Sequence, residues 1–263
     1  MTDEKTPSLL YLWDKRTLYI GPLSEKLSLS QGAATLSLAL DKPISFICEG
    51  MAKPISCRSL LLPAGFSVTV DTQDAIIVNC NLDALGCDFF ALSQRMQKNQ
   101  SGVAYDLENE ERLIKEFINM RVTIKNSQAA FEQLDELLAY DGDAQYKVDP
   151  RVVSVVEHIK QTVDDNLSVE DLASLVNLSV PRLVQLFKQQ TGVPMRRFRL
   201  WHRLYVTAVK MGKGESLTQA AISAGFTDSS HFSHTFRDML GMSPTAVFAQ
   251  PNELKIMVPD NAS

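Results

Sequence analysis

The alternation of apolar and polar positions changes period along this 263-residue chain. Over roughly the first 90 residues the period is two. Thr35-Leu36-Ser37-Leu38-Ala39-Leu40 and Phe66-Ser67-Val68-Thr69-Val70 alternate, which predicts strands with one face buried and one wet. Residues 44–48, 57–62 and 75–80 are short apolar runs of the kind that form more central strands. Breaks fall at Gly21-Pro22, Gln31-Gly32, Asp41-Lys42-Pro43 and Pro63-Ala64-Gly65. Many short strands between frequent turns predict a sandwich or small barrel. From about Asp106 the period lengthens. Leu113, Ile114, Phe117, Met120 and Ile124 recur at steps of three and four, and Phe131, Leu134, Leu137 and Leu138 follow after a break near Asn126-Ser127. Two amphipathic helices over about 106–139 are expected. Asp141-Gly142-Asp143-Ala144 reads as part of a linker, 141–148. Asp149-Pro150 then opens a helix, with Asp as cap and Pro at the first helical position, and the chain reads as helical to about Val247.

The helical half contains a repeat. Ser168-Val169-Glu170-Asp171 and Ser216-Leu217-Thr218-Gln219 are capping-box patterns 48 residues apart. Each precedes a short alanine-containing helix, then a tight turn, then a helix anchored by Leu183 and Phe187 or by Phe232 and Phe236. Each final Phe is followed by a cation, Lys188 or Arg237, and then by Gly192 or Gly241 with Pro194 or Pro244 beyond. Helix, turn and second helix with fixed apolar anchors describe a helix-turn-helix unit. A predicted helix over 195–211 joins the two copies. At 1.5 Å per residue it spans roughly 25 Å, which suits readers placed in successive major-groove segments about 34 Å apart.

These residues resemble a known family. Ala224-Gly225-Phe226-Thr227-Asp228-Ser229-Ser230-His231-Phe232-Ser233-His234-Thr235-Phe236-Arg237, continuing to Gly241-Met242-Ser243-Pro244, is similar to the second unit of the double helix-turn-helix domain of AraC/XylS-type bacterial transcription regulators. Leu183-Val184-Gln185-Leu186-Phe187-Lys188 with Gly192 resembles the first unit, and Arg203-Leu204 with Ala208 resembles the connecting helix. The sequence departs from the family at His234, where arginine is usual, at Val184-Gln185, and at the position of Pro194. The resemblance implies an α+β protein of two domains. A cupin-like, β-rich regulatory domain with its helix pair would occupy 1–140, a DNA-binding domain 149–250, and a tail 251–263. It further implies a sequence-specific transcription regulator, an activator rather than a repressor, with promoter DNA, RNA polymerase, a small-molecule effector and a second copy of itself as partners. A cytoplasmic protein is expected because no apolar run approaches the roughly 18 residues of a membrane helix and Met1-Thr2-Asp3-Glu4-Lys5 lacks the pattern of a secretory signal.

Charge sharpens this picture. Residues 1–145 carry 13 Lys+Arg against 20 Asp+Glu, whereas residues 179–240 carry 9 against 3. A cationic stretch inside an acidic chain points to a polyanion partner for that stretch. Pro181, Arg182 and Gln185 are expected at base edges in the first copy, and Ser229, Ser230, His231 and His234, with Ser233 beside them, in the second. Gln pairs well with adenine. Lys188, Arg196, Arg197, Arg199, Lys210 and Arg237 are expected at phosphates. An alternative places Arg196, Arg197 and Arg199 on a merely solvated helix face.

Other chemistry finds little support. The first half has no histidine, which excludes a barrel enzyme that holds its metal through imidazoles there. There is no G-x-S-x-G elbow and no phosphate-binding loop, so no enzyme is expected. His231 and His234 lie three apart, but no third ligand is near in sequence, so neither metal nor cofactor is expected. Cys48, Cys57, Cys80 and Cys87 lack metal-thiolate spacing. A redox role through Cys48 with Cys57, or Cys80 with Cys87, is the alternative to their being buried small hydrophobes. It corresponds to a regulator that senses through thiols, or one whose first half only dimerises. Leu113, Phe117, Met120, Phe131, Leu134 and Leu138 are the candidate dimer stripe, with packing on their own β-domain as the competing reading.

Overall fold

The computed structural model describes residues 6–23, 26–139, 147–165, 167–248 and 254–259. Strands β1 (Ser8–Leu12), β2 (Thr17–Pro22), β3 (Lys26–Leu29), β4 (Thr35–Ala39), β5 (Ile44–Ile47), β6 (Ile55–Cys57), β7 (Ser59–Leu62), β8 (Val68–Asp71) and β9 (Ile76–Asn81) come first. Helix α1 (Asp88–Arg95), the hairpin β10 (Met96–Gln100) and β11 (Val103–Leu107), and helices α2 (Glu110–Thr123) and α3 (Ser127–Leu138) follow. The second half runs α4 (Pro150–Gln161), α5 (Val169–Leu175), α6 (Val180–Thr191), α7 (Met195–Gly212), α8 (Leu217–Ser223), α9 (Ser229–Leu240) and α10 (Pro244–Phe248), and ends on β12 (Leu254–Met257). The fold is α+β, a β-rich cupin-like sandwich with helices followed by an all-α double helix-turn-helix.

An eight-stranded sheet, β10-β11-β7-β4-β9-β2-β1-β12, faces a four-stranded one, β3-β8-β5-β6. Leu27, Ile44 and Val70 of the smaller sheet pack with Leu60, Leu62 and Ile77 of the larger. The apolar run 57–62, read as one strand, is two. Ile55–Cys57 pairs with β5 in the small sheet, and Ser59–Leu62 pairs with β4 in the large one. The hairpin of β10 and β11 falls where no strand was expected, because Met96-Gln97-Lys98-Asn99-Gln100 is polar on both faces, as an edge strand can be.

Strand β4 also corrects its expectation. Its alternation does not mark a wet face, since all five residues are buried. Leu36 and Leu38 pack beneath α2 and α3 with Leu18, Ile20, Val78 and Cys80. Thr35, Ser37 and Ala39 point the other way, between the sheets. The helix pair therefore covers the outer face of the large sheet. Leu113, Phe117, Met120, Leu134 and Leu138 are buried in that core, and Phe131 packs against it edge-on to Trp13 at 5.4 Å. These six side chains lie in their own domain's core and offer no dimer stripe. Arg16 ties the start of β2 to both α1 and α3, through Asp88 at 2.7 Å and Asp135 at 2.7 Å.

The thiols are not paired. Cys48, Cys57 and Cys80 are buried and Cys87 is exposed, all four free. Cys57 stands opposite Ile44, and Cys80 opposite Leu18 and Leu36, so neither proposed cysteine pair meets across strands. Burial pushes Cys57 and Cys80 up to about 12, the opposite of what a reactive thiolate needs.

Most of the expected linker, residues 141–146, lies outside the described residues, as do 251–253 and 260–263 of the tail. The described part of the tail is a strand. β12 pairs in parallel with β1, so the chain returns from its helical half to the edge of the large sheet.

Candidate functional site

The two helix-turn-helix copies form as their cap residues dictate. Ser168 and Asp171 make a complete capping box at α5. At α8, Ser216 Oγ accepts the Gln219 backbone N–H at 3.4 Å. Both second helices end at a left-handed glycine, Gly192 after α6 and Gly241 after α9. The 18-residue α7 separates the copies, a rod of about 27 Å. Phe187 packs edge-on to Phe198 of that rod, and Phe232 packs on Phe226 and Phe236.

The faces expected to read DNA are open. Pro181, Arg182, Gln185 and Lys188 of α6 are exposed, and Arg182 donates to Gln185 at 3.1 Å. Ser229, Ser230 and His234 of α9 are exposed, while His231 and Ser233 are half-buried. His231 is also held by the turn. Its N–H donates to Asp228 Oδ1 at 2.8 Å, and its ring lies 3.2 Å from Thr227 Oγ1 and edge-on to Phe226. Arg196 and Arg237 are exposed, and Lys210 is half-buried.

Two of the arginines expected at phosphates have protein partners. Arg199 Nη1 donates to the Leu167 carbonyl at 2.6 Å, and burial lowers its pKa. Arg197 Nη2 donates to the Ser30 carbonyl, lies 3.9 Å from Asp238 of α9, and leaves its Nε buried without a partner among the described residues. Both side chains point into the protein because α7 is enclosed by the surrounding helices and the β-rich half. The same Ser30 donates its N–H to the Met239 carbonyl at 3.4 Å, near the open end of α9. Gly241 makes this approach possible, for a Cβ there would fall 2.9 Å from the Ser28 nitrogen.

A cavity of about 200 Å³ lies between the halves, a feature without a sequence motif. The small sheet supplies an apolar wall of Leu27, Leu29, Ile44 and Val70, and α7 supplies Phe198, Trp201, His202 and Tyr205. Gln31, Gly32 and Ala33, beside Ser30, line it too. A Cβ on Gly32 would fall 2.4 Å from that of Trp201. The large sheet supplies polar side chains, Thr17, Ser37, Asn79 and Asn81. Lys160 and Asp14, which line it as well, are paired at 2.8 Å.

A family model described as a helix-turn-helix domain matches residues 172–250. Residues 172–250 are an AraC-type helix-turn-helix domain. The chain is 33% identical over 95 residues to the probable transcriptional regulator LumQ of Photobacterium leiognathi, covering 36% of this chain and 38% of that one. It is 30% identical over 124 residues to the transcriptional activator RhrA of Rhizobium meliloti, covering 44% and 39%. The chain thus spans less than half the length of these curated relatives. Across nearly its whole length it shares a fold with ToxT of Vibrio cholerae. An apo ToxT variant is 11% identical with a TM-score of 0.59, covering 90% of this chain and 97% of that one. Wild-type ToxT with bound unsaturated fatty acid gives 12% and 0.51, covering 89% and 95%. Among the described residues no helix is long and apolar enough to cross a membrane.

Proposed function

We propose that this chain is a sequence-specific DNA-binding transcription regulator, acting as an activator, whose β-rich half responds to a small molecule. The observation that carries the reading is the AraC-type domain with both reading helices uncovered: Arg182 and Gln185 on one, Ser229, Ser230 and His234 on the other. Direct base contacts come from these side chains, and Arg196, Lys188 and Arg237 serve the phosphates. The names of RhrA and LumQ support transcription control, and RhrA's supports activation, for which RNA polymerase is the natural partner.

Regulation follows from one loop. Residues 30–33 line the cavity with Gln31, Gly32 and Ala33 and hold the end of α9 through Ser30. A ligand that moves this loop changes how the second reader is presented, a shift between held and released populations. The hold rests on few bonds, the Ser30 N–H to the Met239 carbonyl at 3.4 Å and Arg197 to the Ser30 carbonyl. ToxT solved with a fatty acid supports a ligand-responsive fold.

The test is selection of DNA from a random pool by the full chain. Enriched sequences should hold two half-sites about one helical turn apart, and affinity should fall steeply with salt. A pool that stays random, or binding insensitive to salt, rejects the reading.

A further inference from the structure

The inner face of the large sheet carries polar residues where a sandwich interior is normally apolar. Register sets them in two cross-strand rows. Thr17, Asn81 and Thr35 form one, and Tyr19, Asn79 and Ser37 the other. The first row is closed by its own members and by Gln31, because Asn81 Nδ2 donates to Thr17 at 2.7 Å and the Thr35 hydroxyl lies between Asn81 Oδ1, at 3.0 Å, and Gln31 Oε1. The second is not. Ser37 donates to Asn79 Oδ1 at 2.8 Å, and Tyr19 donates to the Pro22 carbonyl at 2.8 Å. The Asn79 amide nitrogen has no partner among the described residues, and Asn79 lines the cavity.

Among the described residues the wall offers no buried cation without a carboxylate partner. Arg16 is neutralised by Asp88 and Asp135, and Lys160 by Asp14. Burial holds His202 down to about 4, so its imidazole is neutral at neutral pH. Lys15 also lines the space and is exposed to solvent. An anionic group carried inward would lose its hydration without gaining a buried counter-charge, and Asp83, the lining carboxylate outside these pairs, accepts the Leu85 N–H at 3.0 Å and would repel it. Aromatic faces are abundant, with Trp13, Phe198, Trp201, Tyr205 and Phe236 around the space.

We infer that the cavity takes an uncharged, ring-bearing molecule whose buried end presents a hydrogen-bond acceptor, such as a carbonyl oxygen, to the Asn79 amide. This rests on the cavity being the effector site, as proposed above. The chemistry differs from that of the fatty acid seen in ToxT. It gives Asn79 the part of a specificity residue and Trp201 that of a stacking surface.

Isothermal titration of the full chain at pH 7.5 with 2-acetylnaphthalene, 2-naphthoate and naphthalene tests it. The ketone is expected to bind at least tenfold more tightly than the isosteric carboxylate. Asn79→Leu should weaken the ketone at least tenfold and leave naphthalene within threefold. Asn79→Asp, nearly isosteric, should weaken the ketone as much and serves if the leucine variant does not fold. Equal or tighter binding of the carboxylate overturns the ligand class but leaves the cavity as a site. A ketone affinity that neither variant changes overturns the role of Asn79. No binding by any of the three probes removes the cavity as a site, and the ligand class with it, while the DNA selection stands as a separate test of the regulator reading.

Discussion

The two helix-turn-helix copies share a scaffold and differ in chemistry. Both have a serine-capped first helix, an aromatic anchor in the second and a left-handed glycine at its end. On the reading face the first copy presents Arg182, Gln185 and Lys188, and the second presents serines and imidazoles. The helix starts differ as well. Asp228 caps α9 by accepting the His231 N–H at 2.8 Å, whereas Ser179 makes no side-chain cap bond at α6. The end of α9 is also held by the loop at Ser30, through Met239. The difference teaches that a duplicated reader can divide its labour. On the proposed reading the first copy carries Arg182 and Lys188 toward DNA, while the second keeps one such cation, Arg237, and is also within reach of the loop at Ser30.

The largest expected effect tests whether the scaffolds are equivalent. Phe187 and Phe232 are each at most 1% exposed. Phe187→Ala and Phe232→Ala should each lower stability by about 3–5 kcal/mol, measured by urea denaturation. If one substitution is nearly neutral, its copy is not packed around its phenylalanine and the likeness fails.

Next comes the reading chemistry. Gln185→Ala should weaken the best DNA sequence by about 1–3 kcal/mol and relax preference at one base pair. Ser230→Ala in the second copy should cost less, under about 1 kcal/mol. Competition binding against single-base variants of the selected site measures both. A larger loss from Ser230→Ala would reverse the division of labour.

Arg197 separates the two roles open to it. As a phosphate contact, its loss would weaken all sequences alike and flatten the salt dependence. Held on Ser30, with Asp238 nearby, it is expected to restrain α9 instead. Arg197→Ala should then leave the salt slope unchanged and keep or raise affinity, by a few-fold at most, in a salt titration of DNA binding. A lower slope with a uniform loss of affinity returns it to the phosphates.

Much of the helical half was legible because its signals are local. A capping serine, an anchor phenylalanine and a terminal glycine each act within a few residues. The predicted rod over 195–211 and the observed Met195–Gly212 differ by one residue at the end. What stayed hidden depends on contacts far apart in sequence. Thr35 and Ser37 read as water-facing, yet they lie inside because a second sheet and α7 close over them. The charge of Arg197 was visible, but its partner Ser30 lies 167 residues away. The stripe on α2 and α3 was correctly read as apolar, and periodicity alone could not say whether its cover was a second copy or the protein's own sheet. The strand at Leu254–Met257 is four residues long and recognisable only through β1.

The smallest effect concerns the entry to each copy. At α5 the box is reciprocal: Ser168 Oγ accepts the Asp171 N–H at 3.0 Å, and the Asp171 carboxylate reaches back to the Ser168 N–H at 3.3 Å and its hydroxyl at 2.7 Å. At α8, Ser216 accepts a longer bond, 3.4 Å, and Gln219 turns to the Ser216 hydroxyl at 2.8 Å. A carboxylate near a helix start also favours the dipole, and a neutral amide does not. Ser168→Ala should therefore cost about 1 kcal/mol or more and Ser216→Ala about 0.5 kcal/mol, the low end of the range for lost caps. The readout is the denaturation midpoint of each variant, and local hydrogen exchange at α5 and α8 assigns the loss to its copy. Equal losses would mean that the difference in cap geometry carries no energy, and that the two copies diverge only on the face proposed to meet DNA.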